Sequence, residues 1–198
     1  KKQALSLFAA LLTMITPAFA GEASLVVPNI KVENPESYTL LLIGLGVSFF
    51  GVLFGLWMFR EVKKVDVHQA MNAVGNTIFE TCKTYLVQQG KFLLALEVLI
   101  GLCIAFYFWY LQAMPLKSVL IILGWSVLGI LGSYLVAWFG IRMNTLANSR
   151  TAFTALKGKP LNILSIPLQA GMSIGVLLVS IELIMMLVIL LFVPGELA

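Results

Sequence analysis

The stretch LQAGMSIGVLLVSIELIMMLVILLF, from Leu168 to Phe192, decides the fold class of this chain. It holds a single charged side chain, Glu182, in a run long enough to cross a hydrocarbon core of roughly 30 Å as a helix. An apolar block in the core of a soluble protein would be shorter and broken by charges. The stretch therefore predicts a membrane-spanning helix.

Three similar blocks precede this one, so the sequence predicts an all-α integral membrane protein with about four spans, near 39–59, 92–111, 118–140 and 168–192. The whole chain of 198 residues agrees, being 60% hydrophobic and only 11% charged, with a mean hydropathy of +0.99. Soluble domains are about a quarter charged. The net charge of +4 comes from basic residues beside the spans. We therefore expect the lipid bilayer as a partner and no nucleic acid.

The first twenty residues have the three parts of a secretory signal peptide. Lys1-Lys2 is followed by a short apolar run and by the sequence Pro17-Ala18-Phe19-Ala20. We expect cleavage after Ala20, and an uncleaved first span is the alternative. Residues 21–38 would then form an outer, mildly acidic N-terminal stretch ahead of a transmembrane domain over 39–198.

Charge predicts the orientation of the spans. The segment 60–91 holds five Lys and Arg residues, and the segment 141–165 holds four with no acid. Because Lys and Arg accumulate in cytoplasmic loops, both segments are expected to be cytoplasmic and the mature N-terminus to lie outside. A bacterial-type inner membrane is the expected location.

Both cytoplasmic segments contain helical patterns. In the first, apolar residues recur at steps of three and four, and Asp66 with Gln69 forms a predicted capping box. Gly90 either ends this helix or joins it to the second span. The third span has no breaker before Gly158, so its helix is expected to continue beyond the membrane surface. The apolar positions in the first segment are Val67, Met71, Val74, Ile78, Cys82 and Tyr85.

Small residues predict where helices approach one another closely, because backbones pack tightly in a bilayer only where side chains are small. The pair Gly51 and Gly55 lies in the first span, and Gly171 and Gly175 have the same spacing in the fourth. These spans are expected to pack against protein.

Two acids, Glu97 and Glu182, lie within predicted spans. A carboxylate there is costly, so each is either a functional group facing protein or water, or a protonated structural glutamate. Cys82, Cys103 and His68 form no predicted disulfide or metal site. The sequence has no phosphate-binding glycine loop, no nucleophilic triad and no Asp-rich segment. We therefore expect no catalytic, cofactor-binding or metal-binding residue in this chain.

The end of the third span resembles a known family. Residues 140–152, GIRMNTLANSRTA, are similar to the G-M-x-x-A-T-x-A-N-x-R-T-A stretch of membrane-bound, ion-translocating pyrophosphatases. Met143 is displaced from the methionine of that family. The matching positions are Gly140, Thr145, Ala147, Asn148, Arg150, Thr151 and Ala152.

A second stretch, residues 80–91, ETCKTYLVQQGK, resembles E-G-A-x-A-Y-L-x-x-Q-Y-K of the same family. Thr81-Cys82 replaces its Gly-Ala pair, and Gly90 replaces its tyrosine. These departures indicate a divergent member. The matching positions are Glu80, Tyr85, Leu86, Gln89 and Lys91.

This resemblance implies a pump of about sixteen spans that couples hydrolysis of Mg²⁺-pyrophosphate to transport of H⁺ or Na⁺ and works as a homodimer. Its Mg²⁺-binding and gate residues lie after the fourth span, so the chain is expected to be N-terminal, outer-ring scaffold and inactive alone. Its partners would be the remaining helices. The K⁺ requirement stays open. Two alternatives are a separate four-helix accessory or assembly protein, and a small carrier or channel that uses Glu97 and Glu182.

Overall fold

The computed structural model describes residues 35–158 and 160–192, and within them it contains four long helices and no strand. They are α1 (Pro35–Lys64), α2 (Gln69–Ala105, extended by a π-helical turn over Phe106–Leu111), α3 (Leu116–Ala155) and α4 (Pro160–Phe192). Each is long and apolar enough to cross a membrane. The predicted all-α membrane fold with four spans is confirmed. The predicted signal peptide, residues 1–20, lies outside the described residues.

The helices pack in the order α1, α4, α3, α2, so sequence neighbours are not always spatial neighbours. The first helix lies mainly on the last, α4 also packs on α3, and α2 packs on the outer side of α3. The buried core is formed where α1, α3 and α4 meet, and it is centred on Met143, which has no exposed surface. Its members are Val62, Val136, Phe139, Met143, Ala147, Ile166, Ala170 and Leu177.

The crossing of α1 and α4 is close because α1 presents glycine there. A Cβ atom at Gly55 would lie 3.1 Å from both the Ser173 backbone oxygen and Leu177 Cβ. The buried hydroxyl of Ser173 donates to the Gly55 carbonyl over 2.7 Å. The predicted close approach at Gly51 and Gly55 is therefore confirmed, and the partner surface on α4 consists of serine and branched apolar residues.

Gly171 and Gly175 have no such close contact within the described residues, so their predicted packing against protein stays a prediction. Both are exposed, and an added Cβ atom at either would meet no atom within 4 Å. Residues Ser173 and Leu177 turn toward α1 instead. On a helix, positions two apart face different directions, so α4 uses the serine side and leaves the two glycines facing outward.

The helix α2 continues through Gly90, which joins the predicted cytoplasmic helix to the second span. The predicted capping box is wrong. A capping box joins the N-cap residue to the third residue of the helix, whereas Gln69 is the first residue of α2 and Asp66 lies before the cap. Instead, Nδ1 of His68 accepts a hydrogen bond from the Ala70 backbone N–H over 3.3 Å. Of the predicted apolar face, Val74, Ile78 and Tyr85 remain exposed.

A wide turn ends α2 ahead of the link to α3. The backbone N–H of Gln112 donates to the Tyr107 carbonyl over 3.0 Å, the spacing of a π-helix. Trp109 and Tyr110 are exposed in this turn. Aromatic residues with a polar edge are enriched where a membrane meets water. The turn therefore has the composition expected at a membrane surface.

The two basic segments lie at the same end of the four-helix unit. Helix α3 runs on to Ala155, as predicted, and Gly158 follows with φ of +66°. The guanidinium of Arg150, near that end, contacts the Lys63 carbonyl at the end of α1. The rings of His68 and Phe153 also lie there, with centroids 6.4 Å apart.

Candidate functional site

The family-like stretch 140–152 forms the part of α3 that contacts all three other helices. Met143 and Ala147 are buried in the core, and Gly140 faces Ile174 of α4. Thr145, with Ser149, faces Gly75 of α2. The structure thus uses this stretch to join helices. Its exposed members are Asn144, Asn148 and Ala152.

Arg150 links α3 to the end of α1. Its side chain is only 6% exposed, and its two terminal nitrogens donate to the Leu146 carbonyl over 3.2 Å and to the Lys63 carbonyl over 3.1 Å. The last carbonyls of a helix lack partners within it and carry partial negative charge, so a cation there is stabilising. Burial, with a smaller contribution from the charge of Arg142, lowers the pKa of Arg150 from its usual range. Its Nε is buried without a hydrogen-bond partner among the described residues.

The hydroxyl groups of the same stretch are directed back to their own helix. Thr145 donates to the carbonyls of Ile141 and Arg142 over 3.0 Å, and Thr151 donates to the Ala147 carbonyl over 2.8 Å. Such bonds satisfy buried hydroxyls without a ligand. In the part of the chain that the structure describes, the partners of these hydroxyls are backbone carbonyls.

The second family-like stretch lies on α2 and makes one contact that the sequence did not predict. The phenol of Tyr134 on α3 donates to the carbonyl of the buried Leu86 over 3.1 Å. A Cβ atom at Gly90 would lie 2.9 Å from the Tyr134 ring. Gly90 thus leaves room for an aromatic ring supplied by the neighbouring helix, which accounts for the glycine at this position.

The other predicted positions of that stretch lie toward the surface. Glu80 pairs with Lys83 over 3.1 Å, and both side chains are well exposed. Tyr85 and Lys91 are exposed, while Gln89 lines a shallow apolar groove between α2 and α3. A solvent-exposed pair of this kind contributes at most about 1 kcal/mol to stability. None of these groups converges on a common site.

A larger groove separates the beginning of α2 from the end of α3. It has a volume of about 380 Å³ and is mainly apolar. Its polar side chains are Thr145 and Ser149, which bond to their own helix, and Asn148. The apolar periodicity of the first cytoplasmic segment indicated the α2 side of this groove. It did not indicate that α3 forms the opposite side. The groove is lined by Ala70, Met71, Val74, Gly75, Ile78, Thr145, Asn148, Ser149 and Ala152.

The structure does not bring the two predicted intramembrane acids to one site. Glu97 is half-buried on α2. Glu182 is exposed on α4 and lines a groove against α3 in which Glu97 takes no part. Within residues 35–158 and 160–192, no three His, Cys, Asp or Glu side chains are placed to hold a metal ion. Among the described residues, the two acids therefore lie on different helix surfaces and outside any such group.

Comparison with known proteins gives one family. Residues 49–197 match the family described as "Inorganic H+ pyrophosphatase". A protein from Chlorobaculum tepidum named "K(+)-insensitive pyrophosphate-energized proton pump" is 53% identical over 157 residues, which are 79% of this chain and 21% of that protein. A protein of the same name from Pyrobaculum aerophilum is 28% identical over 153 residues, 77% of this chain and 20% of its own length. No solved structure matches the chain significantly. The chain spans about a fifth of the length of these relatives.

Proposed function

This chain belongs to the inorganic H⁺ pyrophosphatase family, and we propose that it forms the N-terminal, outer scaffold of a pump that couples pyrophosphate hydrolysis to proton transport. The observation that carries the proposal is the 53% identity to a pyrophosphate-energized proton pump across 79% of this chain. The contacts of Arg150, Met143 and Tyr134 support the scaffold role, since each joins two or more helices.

The proposed ion is H⁺ and the proposed pump needs no K⁺, because both relatives are named as K⁺-insensitive proton pumps. Na⁺ is the alternative ion that the family resemblance allows. Mg²⁺ would accompany the pyrophosphate, and its charge would neutralise the phosphate oxygens. The described residues do not fit that metal, because their acids are dispersed and Mg²⁺ binding to a phosphate needs convergent carboxylates. We therefore assign Mg²⁺ and pyrophosphate to other parts of the pump.

The experiment is pyrophosphate-driven ion uptake by the full-length pump that contains this chain. Inverted vesicles supplied with Mg²⁺-pyrophosphate should acidify in buffer free of both K⁺ and Na⁺, and a protonophore should abolish the gradient. Uptake that requires Na⁺ and resists the protonophore would overturn the choice of H⁺. Absence of any pyrophosphate-driven uptake would overturn the proposed function.

The scaffold role has a separate test with the 198-residue chain. Reconstituted in liposomes and checked for its helix content by circular dichroism, it should release no phosphate from Mg²⁺-pyrophosphate, while the full-length pump does so under the same conditions. Phosphate release by the helical 198-residue chain would show that it carries a catalytic site and would contradict the scaffold proposal.

A further inference from the structure

Glu182 lies deep within the membrane-spanning part of α4. It is ten residues before Phe192, the last helical residue that the structure describes, and about 15 Å from it at a rise of 1.5 Å per residue. A hydrocarbon core is roughly 30 Å thick, so the predicted span 168–192 places this carboxyl group near the middle of a bilayer. Lipid head groups do not reach that depth.

The carboxyl group of Glu182 has no hydrogen bond and no ion pair with any residue in 35–158 or 160–192. Helix α4 contributes no Lys, Arg or His between Pro160 and Phe192. On α3, the closest cation along the helix from Ser133 is Arg142, about 14 Å away at 1.5 Å per residue. That guanidinium instead packs over the Phe79 ring, 4.4 Å from its centroid. The described helices thus offer this carboxylate no partner.

Glu182 also lines a groove between two of the helices. The groove, about 270 Å³ in volume, runs between α3 and α4, and Ser133 is its other polar side chain. Gly129 and Gly132 form the α3 side, where Met185 of α4 packs closely against the second glycine. Drug-sized ligands usually occupy pockets of 300–1,000 Å³, so this groove is smaller than the usual site for such a ligand. Gly132 is already used in the contact with α4, and the groove leaves Glu182 exposed beside it.

We propose that this groove between α3 and α4 docks another transmembrane helix of the intact pump, and that this helix presents a Lys, Arg or His side chain to Glu182. The proposal rests on the proposed function, because it takes the helix from the part of the pump polypeptide that this chain does not match. Charge complementarity selects the partner: an intramembrane carboxylate is retained where a cation or another donor of the protein meets it.

Photo-crosslinking in the full-length pump tests the docking. A benzoylphenylalanine in place of Leu178, which lines the groove, should form an intramolecular crosslink to a transmembrane helix outside residues 35–192. That helix should carry Lys, Arg or His within one turn of the crosslinked residue. The matched control is Val179, the next residue on α4, which is similarly exposed but does not line the groove. It should not crosslink to the same peptide.

Three crosslinking results would overturn the proposal. They are a crosslink from position 178 to lipid alone, a crosslink to a second copy of the pump, and a crosslink to a helix without a basic residue. Detection of the same peptide from positions 178 and 179 would also contradict a partner that is specific to the groove.

A charge exchange gives a second test. Glu182→Lys should lower the melting temperature of the solubilised full-length pump more than Glu182→Gln does, because it places like charges together. Replacing the crosslinked basic residue by Glu should restore the melting temperature of the Glu182→Lys pump. Equal stability of the Lys and Gln variants, or no restoration, would contradict the pairing. Pyrophosphate-driven proton uptake by the wild-type pump reports on the proposed function separately, so failure of the docking leaves that function intact.

Discussion

Single residues explain why the family-like stretches have their composition. Arg150 is buried because it supplies hydrogen bonds to the end of another helix, and Gly90 is small because Tyr134 occupies the space beside it. Both residues act through contacts between helices. Replacing either one should therefore change the free energy of unfolding.

Arg150→Met should lower the free energy of unfolding by about 2 kcal/mol, the cost of removing hydrogen bonds to a charged group. The physical reason is the loss of the contact with the Lys63 carbonyl, which leaves the end of α1 without that donor. The measurement is an SDS titration of the purified chain in mild detergent, followed by circular dichroism. Arg60→Met, at an exposed position on α1, is the control and should change little. Equal effects of the two substitutions would contradict the assigned role.

Gly90→Ala should lower the stability by about 1–2 kcal/mol, because the added methyl group would overlap the Tyr134 ring. Gly46→Ala is the matched control, since a Cβ atom there meets nothing within 4 Å. It should leave stability unchanged or raise it by up to about 1 kcal/mol through helix propensity.

The same detergent titration separates steric overlap from other effects of this alanine. In a Tyr134→Ala background, the cost of Gly90→Ala should disappear, as expected for residues in contact. If the cost persists without the ring, another cause must be found for the glycine at position 90.

At the scale of helices, the crossing of α1 and α4 depends on which face of each helix carries small residues. Gly55 meets the Ser173 backbone and Leu177, while Gly171 and Gly175 face outward. The spacing of four residues identified the face of α1 that packs closely, but not the face of α4 that packs against it. Sequence spacing shows that one face of a helix carries small residues. Only the packing shows which face contacts the neighbouring helix.

Gly55→Val should destabilise the four-helix unit by about 2 kcal/mol, since its side chain would force α1 away from α4. Gly175→Val introduces the same side chain on the open face of α4, and its effect should be much smaller. Thermal unfolding of the two 198-residue variants in the same detergent compares them directly. A larger loss from Gly175→Val would show that α4 packs through its glycine face.

At the scale of the whole molecule, the four helices place both basic segments at one end and the aromatic turn after α2 at the other. The contact of Arg150 with the end of α1 establishes the first part of this arrangement. The positive-inside rule predicts that the basic end is cytoplasmic, which stays a prediction.

Single cysteines in place of Asp66, Lys157 and Gln112 test this orientation, after Cys82 and Cys103 have been replaced by Ser. All three positions are exposed and lie in links between helices or at a helix end. In intact cells, a membrane-impermeant maleimide should label position 112 alone, while positions 66 and 157 should react only after permeabilisation. Labelling of position 66 or 157 in intact cells would reverse the proposed orientation.

The sequence by itself determined that the chain crosses a membrane four times as helices, that α3 continues past the surface, and which family it resembles. The length of the apolar blocks predicts the four spans, and the absence of a glycine or proline between Gly140 and Gly158 predicts the long α3. The residues of 140–152 carry the family resemblance. Each of these features can be read from a short stretch of sequence. It could not determine the packing order α1, α4, α3, α2, the outward direction of Gly171 and Gly175, or the replacement of the predicted Asp66 cap by His68. The packing order and the direction of the two glycines depend on contacts between residues far apart in the chain, so only the tertiary structure decides them. The cap is a local contact between His68 and Ala70, and only the observed start of α2 at Gln69 shows that it is used.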